Sequence, residues 1–295
     1  MDPTIWKSTL ALIKRHARQI ERLPRAVFSD WLIVAMSFWH TAHDRPMYWA
    51  CDRRNYPRWF KPKKLPSASQ FTRRVGMARF ERLCQAVHQQ SAGSGSATEL
   101  SYLDGKPLVV GPASKDPDAK RGHIMGGFAK GYKLHVWATE DRRIPVFSVQ
   151  SLNRGEQPVA EVMAQFMPMF SDRALVLADS NYDSSILYTK LAARNAALLV
   201  KPRGFAKHPK TREQSGPYRR EMLARWQNAL PLVRMVYKQR IYVEGILSSL
   251  TCHAGGLGPL PAWVRGLRRV RRWVGVKIIL YHMRLRWQQT QKSDP

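Results

Sequence analysis

Asp104 in SYLDGKPLVV, Asp179 in ALVLADSNYDS and Glu244 in YKQRIYVEGILSSL are three carboxylates in a chain that is otherwise strongly basic. The 295 residues include 49 Lys and Arg against 21 Asp and Glu, a formal charge of +28. Such a surface attracts phosphates, and clustered carboxylates hold the divalent cation that drives phosphoryl displacement. Two carboxylates about 4 Å apart repel by roughly 4 kcal/mol at an effective dielectric near 20, so a cluster calls for a proton or a cation. Magnesium takes oxygen ligands and phosphate oxygens, which suits an Asp-Asp-Glu set in a basic protein. Taken singly, each acid has a plainer role. Asp104 can cap a turn, Asp179 can satisfy backbone donors at a strand end, and Glu244 can pair with Arg240 on a helix surface.

The intervals between the three acids are long enough to hold several strands and helices. Periodicity predicts strands at Tyr102–Val110, Gly131–Thr139 and Ile144–Ser151, then a helix in EQPVAEVMAQFMPMF, a strand in RALVLAD, a helix in SSILYTKLAARN and a strand in AALLVKP. This order describes an α/β unit with a mixed sheet, its later strands parallel and joined by crossover helices. Asp104 then lies on the first strand, and Asp179 at the C-terminal end of ALVLAD, where parallel-sheet sites open. Glu244 belongs to a helical stretch PLVRMVYKQRIYVEGILSSL that Pro231 separates from EMLARW. Asp183 is the competing carboxylate, read as the cap of the helix that follows it.

Residues 1–92 are expected to be helical, with helices near Pro3 to Leu23, over AVFSDWLIVAMSFWHTA, and over FTRRVGMARFERLCQAVHQ, the last capped by Ser67 or Ser69. A flexible junction is expected over residues 93–100, overlapping SAGSGSA, followed by the α/β unit over 101–256 and a basic helical extension over 257–295, with no acid from Trp263 to Trp287. GFAKHPKTREQSGPYRR is expected to be an exposed basic connection. Cys51, Cys84 and Cys252 form no close pair, and His40, His43 and Cys51 lack an evident fourth metal ligand. A mean hydropathy of −0.40 and the absence of a long uncharged apolar run argue against a membrane protein. The N-terminus does not read as a secretory signal, and a cytoplasmic, nucleoid-associated protein is expected.

The motifs YLDGKPL, RGHIMGGFAKGYKLHVWAT and LVLADSNYDS, with Tyr237, Arg240 and Glu244 at offsets of zero, three and seven, resemble the bacterial insertion-sequence transposases with an Asp-Asp-Glu triad. Those offsets place the three residues along one side of a helix. The resemblance implies an RNase H-like catalytic domain, with Asp104, Asp179 and Glu244 as ligands of Mg2+, for which Mn2+ substitutes. It implies cleavage at terminal inverted repeats and transfer of the new 3′ hydroxyl into target DNA, by a homodimer or higher assembly on double-stranded DNA. Tyr237 and Arg240 become contacts to a phosphate or nucleotide at the element end. Thr251 stands where such helices often carry a lysine, and Ser180-Asn181 where a glycine is common before the aromatic residue.

Further DNA contacts are expected at Lys130 and Lys133 in the glycine-containing segment, and at Arg53, Arg54, Trp59 and Lys61 in RRNYPRWFKPKK. Arg268, Arg269, Arg271 and Arg272 in RGLRRVRRW complete the set. These patches read charge rather than base sequence. A metal-dependent nuclease without strand transfer, and an inactive DNA-binding remnant, are the alternatives.

Overall fold

Asp2 sets the start of the first helix. Its carboxylate accepts from the N–H groups of Thr4 (2.7 Å) and Ile5 (3.2 Å), and Pro3 occupies the first turn, where its missing donor is not needed. The computed structural model describes residues 2–93, 99–170, 174–202, 215–253 and 255–293. In chain order its helices and strands begin with α1 (Pro3–Ala17), α2 (Asp30–Ala42), α3 (Ala68–Val75), α4 (Ala78–Ala92), β1 (Leu100–Val109), β2 (Lys120–Ile124), β3 (Gly127–Thr139) and β4 (Val146–Ser151). They continue with α5 (Glu156–Met163), β5 (Ala174–Ala178), α6 (Ser185–Ala192), β6 (Ala196–Val200), α7 (Pro217–Asn228), α8 (Leu230–Lys238), α9 (Ile241–Thr251) and α10 (Leu267–Ser293). Two compact units result, Met1–Gly93 with Leu250–Pro295, and Ser94–Ser249. The expected junction falls in part on 94–98 and the expected basic connection mostly on 203–214, both outside the described residues.

In the first unit α10 packs on α1, α2 and α4 around Trp6, Ile13, Ile33, Phe38, Phe71, Leu83, Ile279 and Leu280. Trp39 centres an aromatic cluster with Trp6 (4.9 Å), Phe60 (5.6 Å) and Tyr56 (6.0 Å). Where the sequence predicts one helix over 71–89 there are two. Ser67 and Gln70 form a capping box at the start of α3, which ends at Gly76, and α4 begins at Ala78. The basic character of α10 covers only part of its surface, because Trp273, Ile278, Tyr281 and even Lys277 are buried. Lys277 meets Asp44 at 2.9 Å, and the Trp273 indole donates to the same carboxylate at 2.9 Å. His40 lies 2.8 Å from the Arg45 carbonyl, and burial pushes its imidazole down to about 4, the behaviour of a core histidine.

The second unit is built on a six-stranded mixed sheet of order β2-β3-β1-β5-β6, with β4 also paired to β3. β1, β3 and β4 are antiparallel neighbours, whereas β5 and β6 run parallel to β1. The sequences ALVLA and AALLV of β5 and β6 are nearly unbroken apolar runs, as strands covered on both faces require. Two glycines let strands approach closely. A Cβ at Gly131 would lie 2.4 Å from the Leu108 carbonyl oxygen, and one at Gly122 would lie 2.4 Å from that of Leu152. β2, which is not among the strands predicted from periodicity, forms by pairing with the start of β3. Among the described residues no helix is long and apolar enough to cross a membrane.

Candidate active site

The parallel register of β1 and β5 ends at the pair Leu103 and Ala178, so the residues that follow are Asp104, within β1, and Asp179, immediately past the end of β5. The apolar run of β5 ends immediately before Asp179, and Asp104 follows the buried Ser101, Tyr102 and Leu103 of β1. The Asp104 carboxylate accepts from the Gly105 N–H at 2.8 Å. Burial raises its pKa to about 6; the Gly105 N–H and the Arg240 guanidinium oppose the rise, and Glu156 and Asp179 add to it. Asp179 caps the turn that follows it, accepting from the Asn181 N–H (2.6 Å), the Asn181 side-chain amide (3.0 Å) and the Ser180 hydroxyl (3.1 Å). The bland role and the chemical one therefore fall on one residue, since a carboxylate keeps lone pairs beyond those bonds.

Tyr237 reaches the same strand end, its hydroxyl donating to the Ala178 carbonyl at 3.2 Å. The helix expected to carry Tyr237, Arg240 and Glu244 on one side is broken. Tyr237 lies in the last turn of α8, Gln239 and Arg240 lie between helices, and Glu244 lies in the first turn of α9. The break is held by short-range bonds, Arg240 N–H to the Tyr237 carbonyl and Val243 N–H to that of Arg240. Arg240 pairs with Glu244 at 3.0 Å, and the Glu244 side chain is 55% exposed. No group of three or more His, Cys, Asp or Glu side chains among the described residues is placed to hold a metal ion. Asp104 and Asp179 come together with Tyr237 and Arg240, while the Glu244 carboxylate turns to Arg240.

Two residues beyond the predicted set join this neighbourhood, Glu156 and Tyr182. Glu156, in the first turn of α5, accepts from Lys133 Nζ at 2.6 Å, and its other oxygen is buried without a hydrogen-bond partner. Tyr182 is fully buried with an unpartnered hydroxyl, and burial together with the negative charges of Glu156, Asp104 and Asp179 raises its pKa far above the usual phenol range. Glu156 carried a signal in being one of few acids, placed at the first position of a predicted helix. Tyr182 stands within the quoted SNYD motif. Asp183 is not the helix cap. Ser184 caps α6, and Asp183 forms a buried two-point ion pair with Arg219, at 2.7 Å for each contact.

The other expected DNA contacts divide by environment. Lys133 is largely buried against Glu156, and Lys130 donates to the Ser114 carbonyl at 2.5 Å. Arg53, Arg54 and Lys61 are exposed, with Arg54 paired to Asp52, while Trp59 is 42% exposed and meets Trp39 edge-on. Arg268 contacts Glu81 and the Gly76 carbonyl, and Arg272 donates to the Val75 carbonyl, so both also close the end of α3. Arg269 and Arg271 are exposed.

No protein-family model and no curated protein matches the chain. Among solved structures the chain is similar to a cryo-EM structure of a piggyBac transposase synaptic complex with hairpin DNA. The identity is 10% and the TM-score 0.45, over 99% of this chain and 76% of that one.

Proposed function

We propose that the chain is a DNA transposase of the Asp-Asp-Glu type with an RNase H-like catalytic unit. In this reading it cleaves DNA at the terminal inverted repeats of an insertion element and joins the freed 3′ hydroxyl to target DNA, as a homodimer or higher assembly on the DNA. The observation that carries the reading is the adjacency of Asp104 on β1 and Asp179 just past the end of the neighbouring β5, with Tyr237 and Arg240 at the same place. Two carboxylates with phosphate oxygens and water are a common donor set for magnesium, and the desolvated Asp104 favours a nearby cation. Asp104 and Asp179 would hold Mg2+ or Mn2+, and Glu244, released from Arg240, would complete the set. When bound, the ion supplies an acidified water or 3′ hydroxyl and charge for the departing oxygen. Arg240, freed of Glu244, presents its guanidinium to a phosphate, and Tyr237 anchors the end of α8 to β5.

The Arg240–Glu244 pair favours a second reading, a DNA-binding protein that performs no chemistry. Incubating the chain with DNA carrying the ends of its own element, with and without Mg2+, separates the readings. Ion-dependent cleavage followed by joining of a pre-cleaved 3′ end is the expected result. Cleavage without joining would identify a nuclease, and salt-sensitive binding with neither product would identify the DNA-binding remnant.

A further inference from the structure

β2 and β3 form a two-stranded ribbon whose paired residues are Arg121 with Lys130, Gly122 with Ala129, His123 with Phe128 and Ile124 with Gly127. Met125 and Gly126 make the turn, with Gly126 at φ +89°. Side chains alternate across a strand, so Arg121, His123, Phe128 and Lys130 share one face. That face is basic near its root and apolar at its tip. Met125 is 100% exposed and Phe128 76% exposed, and the His123 and Phe128 rings meet edge-on at 5.5 Å. Water-exposed Met and Phe on a narrow ribbon gain nothing from the core of their own unit. Arg121 and Lys130 stand directly opposite each other, a like-charge placement that disfavours the ribbon by itself.

We infer that this ribbon is a DNA-inserting wedge, with Met125 and Phe128 entering a base step of duplex DNA and the Arg121 side of the ribbon following the phosphates. The inference rests on the DNA reading above and assigns a contact that the carboxylate site does not need. A two-stranded ribbon fits a DNA groove, and apolar side chains flanked by cations are the chemistry that unstacks a step while neutralising the backbone. The charge around the ribbon agrees. Lys115, Lys120 and Arg121 are exposed; of the nearby acids Asp116 is buried against the Tyr132 hydroxyl at 2.7 Å, and Asp118 lies at the far root. The glycines at positions 122, 126, 127 and 131 thin the ribbon, so that its bulk is concentrated at the tip.

The test uses the full chain and a duplex of about 40 base pairs containing 2-aminopurine beside TA steps, which unstack most easily. Binding is followed by anisotropy and unstacking by 2-aminopurine fluorescence. Wild-type protein is expected to bind and raise the fluorescence severalfold. Met125→Ser with Phe128→Ser, both at exposed positions, should keep the melting temperature and the salt slope of binding but lose the fluorescence rise. Arg121→Gln should keep the rise while lowering the salt slope by about one. An undiminished rise in the double variant, or a double variant whose only change is loss of self-association by light scattering, would overturn the wedge. Failure of the wild-type chain to bind duplex at low salt would instead remove the underlying DNA reading. Wild-type binding without unstacking would remove the wedge alone.

Discussion

Tyr237 is tied to Ala178 across 59 residues of sequence: its hydroxyl donates at 3.2 Å to the last carbonyl of β5, one residue before Asp179. A single hydrogen bond therefore links the end of α8 to the strand that delivers the second carboxylate. Tyr237→Phe removes the donor but keeps the ring against Trp226, whose centroid is 5.5 Å away. The expected cost is about 1 kcal/mol, or a drop of roughly 2–4 °C in melting temperature, with a larger proportional loss of DNA cleavage than of DNA binding. Thermal melting and cleavage assays on the same preparation check it.

Asp179 and Asp183 should behave oppositely when changed to Asn. Asp183→Asn leaves the Arg219 cation without its buried partner, and destabilisation of about 3–5 kcal/mol is expected. Asp179→Asn retains an oxygen that accepts from the Asn181 N–H, so the fold should persist while ion-dependent cleavage falls on the order of a hundredfold or more. Circular dichroism melts paired with plasmid nicking separate the two; equal loss of folding in both would undo the assignment of Asp179.

Glu244→Gln tests chemistry with little interference from stability. The Arg240 pair it breaks is open to solvent on the Glu244 side, which is 55% exposed, and pairs screened by water contribute about 0–1 kcal/mol. Loss of cleavage with an unchanged melting temperature is expected if Glu244 completes the ligand set. Retained cleavage would leave the chemistry to Asp104 and Asp179.

His135 predicts an acid sensitivity of folding. Both ring nitrogens are buried without partners, and burial first, then Lys133, lowers its pKa to about 3 from an ordinary 6.5. The unfolded chain binds a proton below about 6.5 that the folded chain refuses until about 3, so this residue's contribution to stability falls as pH drops through that window. His135→Leu should raise the melting temperature at pH 7 by a few degrees, through removal of unpaired polar atoms, and should lessen the decline between pH 6.5 and 4. Melts across that range measure both effects.

The elements legible in the sequence were those with a strong period or a strong cap. ALVLA and AALLV announce buried strands, Ser67 and Gln70 announce a helix start, and Pro231 does lie in the first turn of α8. β2 was hidden because KRGHI has one aliphatic residue; its extended state comes from pairing with β3. The break at Gln239 and Arg240 has no Gly or Pro to mark it, and so the one-sided helix read from the offsets of Tyr237, Arg240 and Glu244 became two helices. At the site, Asp104 and Asp179 could be placed on strands from their flanks. Glu156, and the partner of Asp183 that lies 36 residues away, depended on tertiary neighbours that no local pattern encodes.

Gly131 has a part that reaches beyond close packing. It pairs with Val109 of β1 and with Lys120 of β2, and its carbonyl also accepts from the Leu152 N–H at 3.0 Å. The ribbon tip and the strand bearing Asp104 thus share one backbone junction where no side chain fits. A slip of one residue there would turn every side chain of the ribbon to its opposite face and, in the same step, shift β1 against its partner. A change at this one glycine therefore bears on the aim of the tip and on the strand that carries the carboxylate together.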